Sequence, residues 1–483
     1  MCKDDFIGMK VLIMGLGLNG GNVEAASYMA KAGAEVTVTD LRDERALSPS
    51  LEKLSSFPIR YILGRHEMED FRNADLVIKN PGVRTDSPYL AAARRIETDI
   101  SIFLASSPAR LIAVTGSKGK SSVSSALHHV LGECRAKSVL EGKTRLGGNI
   151  GLSPLSFLDD LEEGDDVILE LSSWQLGDLR GSGLLKPRAA IVTPIMKDHM
   201  DRYDTMEAYV ADKRIIYQNQ DENDVTIACD DEWGMSFLNE SRGRPLVYST
   251  KKPAEGIAGG WIEGHDGPGL ARVWEIPVTN NKTSYAQAGY APGGSIVEIV
   301  PEQLLVPGLH QKQNLLTAAL ALLDMGLPSE LIRESLGRYP GVEHRLEYFH
   351  ECGGISFYND TCATIPEAAA AAIRAFEKPP VLVCGGADKN LDFTPLAFEA
   401  KNAKAIILIA GTGTEKLRIL LDAGGVKYKG PFDSLKAAAG RAMNTAAPGD
   451  NVVLSPGCTS FDMFLNEFER GDKWKEEIRK LGT

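Results

Sequence analysis

The sequence predicts an α/β protein of three domains, each with a mainly parallel β-sheet. Short apolar runs that end in glycine or an acidic residue alternate with helix-like stretches along the chain. The 483 residues also exceed one ordinary domain of roughly 100 to 200 residues. Polar segments at 105–108 and 339–345 mark the boundaries. We therefore expect domains over residues 1–107, 108–341 and 342–483.

The composition excludes several classes of protein. It is 43% hydrophobic and 24% charged, as in a folded chain. Its 65 Asp and Glu outnumber its 53 Lys and Arg, and this net negative charge disfavours nucleic acid as a partner. No export signal and no apolar run long enough to cross a bilayer is recognised, so we expect a cytoplasmic protein that does not contact membranes. A monomer is the default expectation. The seven cysteines lack metal-ligand spacing, which predicts reduced thiols without structural zinc.

The first domain opens with a β-α-β unit. An apolar strand at 10–14 leads into the glycine turn Gly15–Gly20, a helix to about residue 32, and a strand that ends at Asp40. This is the dinucleotide fingerprint, so the domain is expected to be Rossmann-like. The residues alone leave open NAD, another nucleotide or nucleotide-sugar, or a bare turn. A further strand at 75–79 is followed by the turn Asn80–Val83.

A second glycine loop opens the central domain. The strand Arg110–Thr115 leads into Gly116–Ser121, which combines glycines, a lysine and a hydroxyl as a phosphate cradle does. Only two residues separate the two glycines, whereas the full Walker pattern has four. We expect a P-loop-type ATPase domain with a mainly parallel sheet, and a chance Gly-Lys-Ser is the alternative.

Two residues beyond the loop favour metal chemistry there. Glu170 ends the apolar strand 166–170, where a carboxylate has little structural purpose but suits a cation. His199 follows the strand 189–193 at its carboxyl end, where α/β proteins collect their ligands. We expect both near the phosphates, although a lone histidine is more often an ordinary polar residue.

The remaining elements complete the three domains. Residues 252–300 are rich in Gly, Pro, Asn and Thr, and we expect hairpins and loops there. Other predicted elements are a strand at 225–228, a helix at 313–325, and strands of a Rossmann-like third domain at 355–358, 381–384, 405–409 and 451–454.

Taken together, the motifs resemble the Mur ligases of peptidoglycan synthesis over nearly the whole chain. They are Gly15–Gly20 with Asp40–Arg42, Asn80–Gly82, Thr115–Ser122, Gly148–Gly151, Glu170–Gln175, Asp198–Tyr203, Lys213, Gly308–His310 with Asn314, His344–Arg345, Asn359–Thr361, Gly385–Gly386 with Lys389, and Leu454–Ser460.

The resemblance implies a ligase that uses ATP and two Mg²⁺ ions. It implies ATP contacts at Gly116, Ser117, Lys118, Gly119, Lys120, Ser121, Ser122, Asn314, Arg345 and Asp360. It implies UDP-N-acetylmuramoyl-L-alanine contacts at Leu18, Asn19, Asp40, Leu41, Arg42, Gly82, Asn149 and Ser172. The catalytic residues would be Lys120, Glu170, His199 and Lys213, and the metal ligands Ser121, Glu170, His199 and a carbamylated Lys213.

The resemblance also implies an acceptor amino acid, most simply glutamate, that attacks an acyl phosphate. The family positions that bind the acceptor amino acid correspond here to Thr364, Lys389, Ser460 and Phe461. Two residues depart from the family: Cys362 stands where a lysine is common, and Glu467 where an aromatic is usual. We expect the Glu467 side chain to point outward, because an inward anion would repel glutamate.

Rival functions stay open at this point. Another Mur-type ligase with a different acceptor, or an enzyme like folylpolyglutamate synthase, would share the short loop. A dehydrogenase would explain only the fingerprint from Gly15 to Asp40 and leave Lys120, Glu170 and His199 without a role. A non-catalytic nucleotide-binding protein would use the loops without turnover.

Overall fold

A computed structural model describes residues 3–17, 20–150, 152–200, 202–252, 258–263, 270–274, 296–460 and 463–481. The chain divides into two compact units, one of Met1–Pro301 with Gln313–Leu336 and the other of Glu302–Lys312 with Gly337–Thr483. The predicted site residues Leu18, Asn19 and Phe461 lie outside the described residues. Among the helices that are described, none combines the length and the apolar character that crossing a membrane requires.

The first sheet of the larger unit is parallel throughout, and its described strands follow the order β3-β2-β1-β4-β5. The strands are β1 (Lys10–Met14), β2 (Glu35–Asp40), β3 (Arg60–Leu63), β4 (Leu76–Lys79) and β5 (Ile96–Glu97), and the helices are α1 (Gly21–Lys31), α2 (Glu44–Lys53), α3 (Met68–Asn73) and α4 (Asp99–Ser106). The chain leaves β1 toward β2 and later returns to β1's other side as β4. That reversal opens a crevice at the carboxyl end of β1, where such sheets bind ligands.

The second sheet of this unit orders its described strands β14-β13-β12-β11-β10-β9-β6-β8-β7. It comprises β6 (Arg110–Thr115), β7 (Thr144–Gly148), β8 (Asp166–Glu170), β9 (Ala189–Val192), β10 (Val225–Cys229), β11 (Arg244–Ser249), β12 (Gly259–Glu263), β13 (Leu270–Trp274) and β14 (Ile296–Val300). Its strands run parallel up to β12, and β13 and β14 add an antiparallel edge. The helices between β6 and the smaller unit's first strand are α5 (Lys120–Ala136), α6 (Ser173–Asp178), α7 (Met206–Lys213), α8 (Glu232–Glu240), α9 (Leu309–Asp324) and α10 (Ser329–Gly337).

The central strands of both sheets are buried, and apolar residues form most of each strand. Strands β4, β8 and β9 are buried at every position, as strands covered on both faces must be. Helix α5 packs onto the second sheet through Val123, Leu127, Val130 and Cys134, which recur every three or four residues on one face. This packing holds the helix N-terminus at the carboxyl end of β6.

The smaller unit contains a third sheet of order β15-β16-β20-β17-β18-β19 among its described residues. The strands are β15 (Glu347–Cys352), β16 (Ile355–Asn359), β17 (Val381–Cys384), β18 (Ala405–Ile409), β19 (Tyr428–Phe432) and β20 (Asn451–Leu454), and the helices are α11 (Pro366–Ala375), α12 (Thr394–Glu399), α13 (Thr412–Ala423), α14 (Leu435–Met443) and α15 (Glu467–Leu481). Only β15 is antiparallel within this sheet. Apolar clusters cover both of its faces.

Most predicted elements are confirmed. The helix predicted at 313–325 begins earlier, at Leu309, and the segment 252–300 contributes the hairpin strands β12 to β14 where it is described. No sequence pattern predicted β7, which contains an arginine and two glycines and is buried at only two of its five positions. The domain boundaries at 107 and 341 stay predictions.

Candidate active site

The phosphate loop lies between β6 and α5. Gly116 and Gly119 have φ angles of 138° and 92°, which L-residues rarely adopt. A Cβ atom on Gly119 would lie 2.5 Å from Oδ1 of Asn314, so the predicted ATP residue Asn314 packs directly on the loop. Ser121 and Ser122 are half-buried in the first turn of α5. The first turn of a helix presents backbone N–H groups that have no acceptor within the helix, and this suits an anion.

Two lysines converge on one carbonyl oxygen of this loop. Lys120 Nζ donates to the carbonyls of Gly116, at 2.9 Å, and Ser117, at 3.1 Å. Lys213 Nζ donates to the same Gly116 oxygen at 2.9 Å and is only 2% exposed. Exposed Lys118 instead points away and pairs with Asp198 at 3.6 Å. The amino groups of both lysines therefore lie at the base of the loop.

The environment of Lys213 favours its neutral amine. Burial and, to a smaller extent, the nearby charge of Lys120 lower the pKa of Lys213 to about 7, against the opposing charges of Asp198 and Asp212. Its Nζ lies 4.6 Å from the centre of the Tyr209 ring. A neutral amine is nucleophilic, whereas an ammonium group is not, so this lysine is able to react with carbon dioxide near neutral pH.

Glu170 lies beside the loop, because β8 pairs with β6 and sets Glu170 opposite Val114. Its side chain is 1% exposed. Oε1 accepts a hydrogen bond from Asn149 Nδ2 at 2.8 Å, and Oε2 accepts a longer one from Ser124 at 3.5 Å. Glu170 makes no ion pair with a basic side chain in the described part of the chain. Asn149 thus orients this carboxylate, a contact that the sequence did not indicate.

His199 follows β9, on the other side of β6 from Glu170. It has a positive φ of 55°, and its exposed ring lies 5.2 Å from the ring of Trp174 and 6.3 Å from that of Tyr209. Tyr209 in turn hydrogen-bonds Ser117 of the phosphate loop at 2.9 Å. Aromatic contacts therefore place the imidazole near the loop.

This arrangement fits a divalent cation. A buried carboxylate without a basic partner is costly unless something positive binds it, and Mg²⁺ prefers carboxylate and hydroxyl oxygens. Glu170 and the half-buried Ser121 supply such oxygens on neighbouring elements. His199 supplies an exposed nitrogen from the opposite side.

The glycine turn of the first sheet has a different character. Gly15, Gly17 and Gly20 have φ angles of 79°, 71° and 91°. The carboxylate of Asp40 is 4% exposed and accepts backbone N–H bonds from Gly17, at 3.2 Å, and Arg42, at 2.9 Å. Asp40 therefore ties the turn to the end of β2. Leu41 is 68% exposed and the Arg42 side chain 54% exposed, so these two are available to a ligand.

The turn Asn80–Val83 lies against Gly15. Asn80 Oδ1 accepts the N–H of Gly82 at 2.9 Å, and a Cβ atom on Gly15 would lie 3.2 Å from Cβ of Asn80. Gly82 is exposed. The structure thus brings together the described residues predicted to bind the UDP part, with Ser172 and Asn149 on the second sheet of the same unit.

Within the smaller unit, Asp360 is held at the end of β16. Its two oxygens accept bonds from Ser455 Oγ, at 2.7 Å, and from the Leu346 N–H, at 3.0 Å. Burial raises the pKa of Asp360 to about 7, and the hydrogen bond from Ser455 and the charge of Arg345 oppose that rise. The two predicted ATP residues Arg345 and Asp360 therefore influence each other electrostatically.

Three loops of this unit carry the predicted amino-acid residues. A bridge between Ala387 and Thr459 brings the Lys389 and Ser460 segments together, and Gly457 N–H donates to the Ala363 carbonyl at 2.8 Å. Ser460 is 4% exposed, and its hydroxyl has no hydrogen-bond partner among the described residues. A buried hydroxyl without a partner is the expected state of a ligand-binding group.

The two departures from the family pattern lie close to one another. Burial raises the pKa of the Cys362 thiol to about 11, and the charge of Glu467 contributes to that rise. The half-buried Glu467 also raises the pKa of Arg470, which burial lowers to about 10. The charge of Glu467 therefore influences this cluster, and the outward orientation expected from sequence stays a prediction. Phe468 instead lies against His344, with ring centres 5.5 Å apart.

Sequence reasoning gave no role to several residues that build the site. Four residues position predicted site residues from which they are distant in sequence. Tyr209 contacts Ser117, Trp174 contacts His199, Ser124 contacts Glu170, and Ser455 contacts Asp360. Trp174 and Ser455 stood inside quoted motifs, but neither was given a role.

Three stretches of the chain match domains of one known family. Residues 9–102 match the MurD-like N-terminal domain of Mur ligases, residues 114–322 the Mur ligase middle domain, and residues 344–458 the glutamate ligase domain of Mur ligases. The UDP-N-acetylmuramoylalanine–D-glutamate ligase of Treponema pallidum (strain Nichols) is 40% identical over 98% of this chain and 98% of its own length. The chain belongs to the Mur ligase family. The ligase of the same name from Roseiflexus sp. (strain RS-1) is 38% identical over 98% of this Mur ligase and 99% of its own length.

Solved Mur ligases share the fold. The UDP-N-acetylmuramate-alanine ligase MurC of Thermotoga maritima has a TM-score of 0.57 and 19% identity over 98% of this chain and 100% of its own. MurF ligase of Thermotoga maritima in complex with ADP has a TM-score of 0.52 and 14% identity over 100% of this chain and 97% of its own. The three-domain α/β class predicted from sequence is confirmed, and as a Mur ligase the protein uses ATP.

Proposed function

We propose that this Mur ligase joins D-glutamate to UDP-N-acetylmuramoyl-L-alanine, with conversion of ATP to ADP and phosphate, in peptidoglycan precursor synthesis. The observation that carries the proposal is the phosphate loop with Lys120 and Lys213 at its base and the buried Glu170 at its side, which makes no ion pair within the described residues. The names of the relatives at 40% and 38% identity supply the substrates.

In the first step, the alanine carboxylate attacks the γ-phosphorus of ATP, an acyl phosphate forms, and ADP leaves. Lys120 turns from the loop carbonyls to the phosphates and offsets the charge of two anions that would otherwise repel each other. Asn314 packs on the loop and limits where the nucleotide can lie. Arg345 and Asp360 of the smaller unit are the further proposed ATP contacts.

Two Mg²⁺ ions, when bound, would supply further charge neutralisation at the phosphates and the carboxylate. Ser121 and Glu170 would hold one ion, and His199 and a carbamylated Lys213 the other. The lowered pKa of Lys213 supports this, because carbamate formation consumes a neutral amine and carbon dioxide, releases a proton and yields an anionic oxygen ligand. Asn149 keeps Glu170 in place for this role.

In the second step, the neutral amino group of glutamate attacks the acyl carbon. The C–N bond forms, the C–O bond to phosphate breaks, and the amine releases a proton. We assign Ser460, Thr364, Lys389 and Phe461 to the glutamate. The buried hydroxyl of Ser460, which has no hydrogen-bond partner within the described ranges, and the exposed ammonium of Lys389 suit a carboxylate. Monomeric state and cytoplasmic location stay predictions.

Phosphate release tests the proposal directly. Purified protein would receive ATP, Mg²⁺ and UDP-N-acetylmuramoyl-L-alanine, with D-glutamate in one series and L-glutamate in the other. We expect phosphate release only when both the UDP substrate and D-glutamate are present. Release with L-glutamate or another amino acid would instead identify a different Mur-type acceptor, and release with a folate substrate would favour the folylpolyglutamate synthase alternative. No release with any acceptor would refute the ligase assignment.

A further inference from the structure

The turn Asn80–Val83 in the larger unit is held by two basic side chains. Each of its four backbone carbonyl oxygens accepts a hydrogen bond from Lys79 or Arg202. Lys79 Nζ donates to Val83 at 3.0 Å and to Asn80 at 3.4 Å. Arg202 donates through its two Nη atoms to Gly82 at 3.4 Å and to Pro81 at 3.5 Å. Every carbonyl of the proposed UDP-binding turn is therefore directed toward these two side chains.

Both cations are held by the short helix α6 of the second sheet. Lys79 forms an ion pair with Asp178 at 2.7 Å, and these side chains are 3% and 5% exposed. The Arg202 guanidinium lies 4.1 Å from the centre of the Trp174 ring, within cation–π range. Trp174 and Asp178 are the second and last residues of α6, and Ser172 caps its N-terminus. One helix thus links the turn to Ser172 and, through Arg202, to the His199 loop.

The energetics argue that this link is not there for stability. Burial lowers the pKa of Lys79 and raises that of Asp178, so for both groups desolvation outweighs their mutual attraction. Buried ion pairs of this kind are often replaceable by apolar residues without loss of stability. A role in fixing geometry is the alternative that the contacts support.

We propose that Lys79, Asp178, Trp174 and Arg202 form a positioning clamp that sets the distance between the uridine-binding turn and the carboxylate-activating site. The inference rests on the proposed function, in which one long substrate spans both places. The uridine diphosphate end would lie at Gly82 and the glycine turn, and the alanine carboxylate at Glu170 and His199. By fixing the distance between these two places, the clamp favours a substrate of matching length.

The double variant Lys79→Met with Asp178→Leu tests the clamp, because it removes the ion pair without leaving a buried charge. We expect the Kd of UDP-N-acetylmuramoyl-L-alanine to rise about tenfold, while the Kd of UDP alone and that of ATP change less than about twofold. Neither short ligand spans the two places. Arg202→Gln should act in the same direction, and Arg202→Lys should restore part of the affinity. Calorimetric titration measures all three affinities, and the melting temperature checks folding.

A matched control is the exposed ion pair of Lys186 and Asp221. Its Nζ and Oδ2 atoms are 2.5 Å apart. Lys186→Met with Asp221→Leu should leave all three affinities unchanged. Equal losses for UDP, ATP and the full substrate in the clamp variant would show a general structural role and overturn the proposal, as would no loss for any of them. Failure of the wild-type protein to bind the UDP substrate would refute the proposed function itself, and the clamp with it.

Discussion

Two loops of this Mur ligase share one backbone design and differ in the side chains around them. Gly15–Gly20 and Gly116–Gly119 each follow a parallel strand, use glycines with positive φ and lead into a helix N-terminus. Around the first, Asp40 is engaged by backbone N–H groups, and Leu41 is exposed. Around the second, Lys120, Lys213 and Glu170 bring charges to the base and side of the loop.

The difference shows what separates holding a phosphate from activating one. A glycine turn and a helix N-terminus suffice to bind a diphosphate, because backbone N–H groups supply the donors. Transfer of a phosphoryl group also needs charge that is fixed where the transition state develops it. That charge comes from the last residue of β8, from the segment after β9 and from α7, which all lie far from the loop in sequence.

The largest effect that would sharpen this contrast is expected for Lys120→Ala. Loss of the ammonium group at the phosphates should lower the rate of phosphate release by at least about 10³-fold. Lys118→Ala in the same loop is the matched comparison, because that side chain is 71% exposed and directed toward Asp198, and we expect a loss of about tenfold or less. Similar losses in both variants would contradict a specific role for Lys120.

Lys213 offers the next largest effect and a dependence on pH. Because its pKa lies at about 7, the amine is neutral above that pH and protonated below it. Protein stripped of carbon dioxide at pH 6 should be nearly inactive, and bicarbonate at pH 8 should restore it. Lys213→Ala should lose about 10²-fold in rate and no longer respond to bicarbonate.

Carbon-13 NMR with labelled bicarbonate reports the modification without an activity assay. A carbamate resonance is expected in the wild-type protein and absent in Lys213→Ala. A wild-type enzyme that is fully active without carbon dioxide and shows no such resonance would exclude the carbamate.

The two glycine loops can be separated by reciprocal substitutions. Gly119→Ala places a Cβ 2.5 Å from Asn314 Oδ1 at a φ of 92°, so the KM for ATP should rise about tenfold with little change for the UDP substrate. Gly15→Ala, at a φ of 79° and 3.2 Å from Asn80 Cβ, should do the reverse. Gly132→Ala in α5 meets no atom within 4 Å and should leave both KM values unchanged. Parallel changes in both KM values would show that the loops do not bind separate ligands.

The sequence predicted the parts of the site that depend on local spacing. Glycine, lysine and serine at fixed intervals after an apolar strand indicated both loops, because the backbone conformation demands those residues where they stand. Lys79 and Asp178 are 99 residues apart, and Lys213 lies 97 residues from the Gly116 carbonyl that it contacts. No local pattern records such pairs, since they arise only when β4 and α6, or β6 and α7, pack in one unit.

The smallest effect concerns the acceptor. Cys362 stands where the family commonly has a lysine, in a cluster that already contains Arg345, Arg470 and the opposing charge of Glu467. Cys362→Lys should therefore lower the KM for D-glutamate only about threefold, with kcat and the KM for ATP unchanged, because one more cation adds little where two are present. Cys362→Met controls for side-chain length and should not lower the KM. If Cys362→Lys leaves the KM for glutamate unaltered, the existing cations already satisfy its carboxylate, and the missing lysine is no obstacle to glutamate as the substrate.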